Sequence, residues 1–160
     1  LTVKGEFFGS SWFLFESDLV SCEGITKNEG RVSQKVRVSS PVRSFGCHPV
    51  VCDIWHLGSW DWNTVEKTQS WKSIMSSPLP NGASGPMIGI SNFQAKFIAE
   101  EEIETNCGKF QSKHFVFPLE RKGKPDEHIW FTGDDLILTK IRWDLLKTTY
   151  VLAEISGDYE

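Results

Sequence analysis

The chain is poor in cysteine and has no long apolar run, and each shortage removes a class of protein. Cys22, Cys47, Cys52 and Cys107 are its only cysteines, too few for a fold stapled by disulfides, so reduced thiols are the expected state; an oxidising compartment would allow three pairings, and whether Cys47 and Cys52 pair stays open. Cys47 and Cys52 are also spaced too widely for a zinc-ribbon pair, and no second pair follows, so no structural zinc site is expected. No stretch approaches the roughly 18–20 apolar residues of a membrane-spanning helix. Residues 1–5 carry neither a basic nor an apolar signal region, and no Asn-x-Ser/Thr acceptor occurs. These features predict a soluble, cytoplasmic protein with no membrane partner, although the absent initiator Met leaves room for a removed signal segment. The net charge is −4 with scattered basic residues, which lacks the electrostatic footprint of a nucleic-acid binder. A phosphate-cradling Gly-rich loop, a nucleophile elbow and a dinucleotide fingerprint are all missing. The expected cofactor is therefore none.

What is present is period-two alternation. Successive strand residues face opposite sides, and residues 136–143 and 148–155 alternate in this way, with a turn at 144–147. Residues 128–132 read as a shorter strand joined onward through Gly133-Asp134-Asp135. Residues 109–117 form another, entered through Asn106-Cys107-Gly108 and left through Pro118 and a polar loop at 120–125. A long strand over 87–98 continues through 100–105 after a bend or bulge. Three prolines and two glycines make 76–86 a long irregular connection, of the kind that often forms a functional rim. In the N-terminal half, 12–20 and 31–39 read as a hairpin. Residues 48–57 fit a short helix opening at Pro49, with Val50, Ile54 and Leu57 on one stripe, better than an extended segment. Trp60, Trp62 and Trp71 lead into one more strand. The sum is about eight to ten short strands with at most one or two short helices, in one domain over 1–160. A single antiparallel barrel removes sheet edges and leaves an interior wide enough for one small ligand.

Several segments resemble a loosely defined group of uncharacterised bacterial and fungal proteins with lipocalin-like (calycin-like) barrels. They are Asn106-Cys107-Gly108-Lys109-Phe110 ahead of His114, His128-Ile129-Trp130-Phe131-Thr132-Gly133-Asp134-Asp135, Thr149-Tyr150-Val151-Leu152, the run from Gly46-Cys47-His48-Pro49 to Trp55, and Asn81-Gly82-Ala83-Ser84-Gly85-Pro86. The resemblance implies the barrel. In size and character the chain is also similar to the small barrels that fungal natural-product pathways use as cofactor-free cyclases, isomerases and dehydratases, an analogy of fold that fixes no activity.

The candidate acid–base residues begin with His48, Asp53 and His56, the densest ionisable group in an apolar stretch. A histidine oriented by a carboxylate is a common general base near neutral pH. The same three residues also read as a polar rim at the end of an element, or as a two-histidine, one-carboxylate metal triad. Alternation places His114 with Phe110, Ser112 and Val116 on an apolar face while Lys113 points the other way. Such a histidine is either a hydrogen-bonded core residue or a cavity base, and Tyr150 or Arg142 on neighbouring strands are its expected partners. Arg142 can hold a carboxylate or enolate by two parallel hydrogen bonds; alternatively it makes an outward salt bridge to Glu154, with Lys140 on the same face. One of Glu100, Glu101, Glu102 and Glu104 can point inward, where burial among tryptophans would raise its pKa. Trp55, Trp60, Trp62 and Trp130, with Phe110, are the candidate wall of an apolar pocket.

The resulting expectation is a cofactor-independent cyclase, isomerase, dehydratase or lyase acting on a small apolar or polycyclic metabolite, with a homodimer left open. A lipocalin-like carrier without catalysis is the alternative.

Overall fold

The computed structural model describes residues 9–16, 19–26, 30–38, 42–47, 50–76, 88–118 and 126–157. They are mainly β: β1 (Gly9–Glu16), β2 (Leu19–Thr26), β3 (Gly30–Arg37), β4 (Ser44–Cys47), β5 (Thr68–Ser76), β6 (Ile88–Thr105), β7 (Gly108–Phe117), β8 (Glu127–Thr132), β9 (Ile137–Trp143) and β10 (Thr148–Val151), with the 3-10 helices η1 (Val50–Ser59) and η2 (Asp144–Leu146). The strands form a three-stranded sheet, β1-β2-β3, and a seven-stranded one, β10-β9-β8-β7-β6-β5-β4. No pairing among the described residues joins β10 to β4, so the hydrogen-bonded order is open. β4 also runs parallel to β5, which corrects the all-antiparallel expectation. A parallel neighbour needs a crossover of a dozen or more residues, and residues 48–67, containing η1, supply it. No described helix is long and apolar enough to cross a membrane.

Two compact units divide the chain. In the first, residues 1–53 and 72–92, the three-stranded meander is paired from Gly9↔Thr26 to Glu16↔Leu19 and from Leu19↔Arg37 to Thr26↔Gly30. The segment 12–20, read as one strand, therefore contains a chain reversal. Gly24 sits mid-strand opposite Ser11 and Val32. Val20 and Cys22 bury the inward positions of β2 together with Ile74 of β5, while the Ser73 hydroxyl donates to the Ser44 carbonyl at 3.2 Å within the parallel pair.

The second unit, residues 54–71 and 93–160, carries the long antiparallel array. β6 and β7 meet at a tight turn where Gly108 has φ +126, a region that favours glycine. There the Thr105 hydroxyl donates to the Gly108 carbonyl (2.9 Å) and accepts the Cys107 N–H (3.1 Å). The terminal strand is shorter than alternation predicted. After Val151 the chain leaves the ladder, and Leu152 donates its N–H to the Thr139 carbonyl and accepts the N–H of Asn106, so one residue ties the chain after β10 to both β9 and the β6–β7 turn.

Register sorts this array into two faces. One carries Phe97, Phe115, Ile129, Phe131 and Ile141; the last four are fully buried. Trp60 meets Phe115 edge-on at 4.8 Å and Trp62 meets Phe131 at 6.3 Å, so the segment after η1 closes over this aromatic face. The opposite face carries Glu101, Ser112, His114, His128, Trp130, Lys140 and Arg142. Both histidines of the array lie on it.

Candidate functional site

The site depends on a bulge. β6 pairs Phe97 with Phe115 and then Ala99 with His114, leaving Ile98 as the extra residue. Had pairing continued without it, Ile98 would oppose His114 and Glu100 would oppose Ser112. The shift by one residue brings Glu101 onto the histidine face, since a bulge reverses which side chains face which way. Glu101 opposes Ser112 and so lies diagonally from His114, within reach of two long side chains.

The Glu101 carboxylate accepts the His114 Nδ1–H on Oε1 at 2.8 Å and the Trp130 Nε1–H on Oε2 at 3.0 Å. Burial pushes this carboxyl upward, but the hydrogen bonds from His114 and Trp130 and the nearby positive charge, Lys140 included, outweigh it and hold Glu101 below its ordinary value. This corrects the expected upward shift: the indole N–H solvates the carboxylate where an apolar wall would have destabilised it. His114 is buried and stacks on Trp130, with ring centroids 4.2 Å apart and planes within 16°. Lys140 Nζ stands 4.8 Å over the Trp130 ring.

His114 Nε2 lies 2.9 Å from His128 Nδ1. Register makes this contact: His114 opposes Trp130, two residues from His128 on the same face of β8. Burial lowers the His128 pKa, the charges of Arg142 and His114 lower it further, and Asp126 and Asp144 oppose the shift. His128 is thus a neutral ring at pH 7. An ionised carboxylate only accepts, so His114 carries a proton on Nδ1; when its Nε2 carries none, that nitrogen accepts and His128 donates from Nδ1. The lone pair of the dyad is then on His128 Nε2, for which the described residues provide no partner. Glu101, His114 and His128 form a chain that fixes both tautomers and ends in a basic nitrogen.

Arg142 opposes His128 directly in the β8–β9 register, and Lys140 opposes Trp130. The expected Arg142–Glu154 salt bridge is replaced by a looser pair with Asp144, Nε to Oδ1 at 3.6 Å. Tyr150 opposes Ile141 and belongs to the other face, half exposed, so the expected partners of His114, Tyr150 and Arg142, give way to Glu101 and His128. Phe110 is half-buried opposite Ile103 on the His114 face. The expected tryptophan wall divides: Trp130 lies on the histidine face, Trp60 and Trp62 pack on the aromatic face, and Trp55 is exposed. Lys113 points to the aromatic face, as alternation predicted, with Nζ 4.5 Å over Trp62.

The His48, Asp53 and His56 group falls only partly within the described residues. His48 lies outside the described residues, and Asp53 is a half-buried residue of η1 in the first unit. His56, in the second unit, is fully buried and stacks on Phe93 at 4.0 Å. Among the described residues no group of three or more His, Cys, Asp or Glu is arranged to hold a metal ion.

Burial lowers the His56 pKa from 6.5 to about 4. Above pH 6.5 the ring is neutral whether the chain is folded or unfolded. As pH falls from 6.5 toward 4 the unfolded ring takes a proton that the buried ring refuses, so stability is expected to drop by up to about 3 kcal/mol. Denaturant midpoints at pH 7 and pH 4.5 measure the drop, and His56→Leu should reduce it; an unchanged acid sensitivity in that variant would place its origin elsewhere.

No protein-family model matches the chain, and it matches neither a curated protein nor a solved structure.

Proposed function

We propose that the protein is a cofactor-independent proton-transfer enzyme, an isomerase, lyase or cyclase acting on a small metabolite, with His128 as the general acid–base and His114 and Glu101 behind it. The observation that supports this most directly is the Glu101–His114–His128 chain of hydrogen bonds. When His128 Nε2 takes a proton from substrate, the His128 Nδ1 proton can pass to His114 Nε2, and the resulting imidazolium faces the Glu101 carboxylate. Charge thus moves away from the substrate and next to a fixed counter-charge. Ordinary general acid–base catalysis contributes about 10²–10⁴-fold, and an oriented relay suits that task. The free thiols of Cys22 and Cys107 support a reducing, cytoplasmic setting.

Mass spectrometry of material co-purifying with the protein, followed by incubation of that compound in D₂O, tests the reading. Wild-type protein should return an isomeric, cyclised, eliminated or deuterium-labelled product, and His128→Asn should return the compound unaltered. Recovery of the unaltered compound from wild-type protein would identify a carrier and end the proposal.

A further inference from the structure

We propose that Arg142 and Lys140 form an oxyanion subsite beside His128, so that the substrate is an enolisable carbonyl compound whose oxygen docks on these two cations. This names the substrate class for the site proposed above and rests on that reading. Arg142 sits one strand from His128 in direct register, and Lys140 holds the same relation to Trp130, so both cations share the face of the dyad. Opposed residues on one face of an antiparallel pair have Cβ atoms about 4.5–5.5 Å apart. Asp144 reaches only the Nε edge of Arg142, at 3.6 Å, longer than a hydrogen bond. No described residue partners the terminal guanidinium nitrogens, the two donors that match an oxyanion. Lys140 is held over the Trp130 ring, and Trp130 is itself fixed by its hydrogen bond to Glu101. A cation pair next to a neutral base is the arrangement that carbon-acid chemistry needs: the base must stay unprotonated while the developing negative charge is met by positive charge.

The step balances without a redox partner. The substrate C–H bond breaks, its proton forms the N–H bond on His128 Nε2, and the electron pair moves through the C–C bond to the carbonyl oxygen, giving an enolate on Arg142 and Lys140. Return of that proton to the opposite face of the same carbon gives the epimer, and return to the γ-carbon of an enolate conjugated with a further C=C gives the double-bond isomer; either regenerates the dyad.

The probe is 4-nitrophenol, whose phenolate imitates an enolate and whose two forms differ in absorbance. Bound to wild-type protein, it should ionise at a pH about one unit below its midpoint in buffer, a tenfold shift toward phenolate. Arg142→Met should abolish the shift and Lys140→Met should reduce it. Lys140→Met carries the test if Arg142→Met does not fold, as judged by near-ultraviolet circular dichroism. His128→Asn should keep the shift, because it removes the base and leaves the cations. Absence of saturable binding, an unmoved or raised midpoint, or a shift that survives both cation variants would overturn the subsite. A normal phenolate shift together with undiminished turnover in His128→Asn would instead overturn the proton-transfer reading and leave an anion-binding protein.

Discussion

His128→Asn is expected to lower turnover of the bound metabolite by about 10²–10⁴-fold with only a small loss of stability. Asparagine offers an amide N–H near the position of Nδ1, so the 2.9 Å link to His114 can be kept while the terminal base disappears. The His114–Trp130 stack and the hydrogen bonds of Glu101 involve other atoms and need not move. Glu101→Gln should behave differently. Its amide oxygen can still accept from His114, yet the counter-charge for the imidazolium is gone, so a smaller loss of about 10–10²-fold is expected. The pH profile separates the two roles. Activity requires the unprotonated dyad and therefore rises with pH through an acid limb set by the coupled pair. Glu101 faces the imidazolium that protonation of the dyad creates, so removing its charge should move that limb to lower pH. A limb that stays in place in Glu101→Gln would mean that the carboxylate only props up the fold.

The fold class was legible because 136–143 and 148–155 alternate, and alternation needs nothing beyond the chain itself. The face of His114 and the opposite face of Lys113 followed from it. The reversal within 12–20 was missed: Phe15-Glu16 and Leu19-Val20 belong to different strands that pair with one another, and reading 12–20 as one strand passed over the polar Glu16-Ser17-Asp18. The partners of His114 were hidden for another reason. Glu100, Glu101, Glu102 and Glu104 are equivalent by composition, and the choice of Glu101 rests on the single-residue bulge at Ile98. A bend near that position was expected from the sequence, but not its parity, and parity decides which carboxylate meets the histidine. His128 was visible as one of only four histidines; its two-residue offset from the position opposite His114 is a matter of register between strands, set by pairings across a loop that alternation does not reach.

Phe115→Ala is expected to cost about 3–5 kcal/mol of stability, a large part of the roughly 5–15 kcal/mol that holds a typical domain folded. Phe115 is fully buried, with Trp60 at 4.8 Å, Phe97 at 5.3 Å, Phe131 at 5.7 Å and Trp62 at 6.0 Å between ring centroids. Truncation therefore removes four ring contacts at once, and these rings come from β6, β8 and the segment after η1, which cannot all collapse into the void together. Phe115 also follows His114 in the chain, so the packing that seats one side chain sets the strand position of the other. Turnover should consequently fall along with stability, whereas Phe110→Ala, at a half-buried position of the same strand, should cost less. Urea denaturation of the two variants, compared by midpoint at unchanged slope, measures both. A Phe115→Ala loss no greater than that of Phe110→Ala would mean that the aromatic face is not what holds β7, and with it His114, in place.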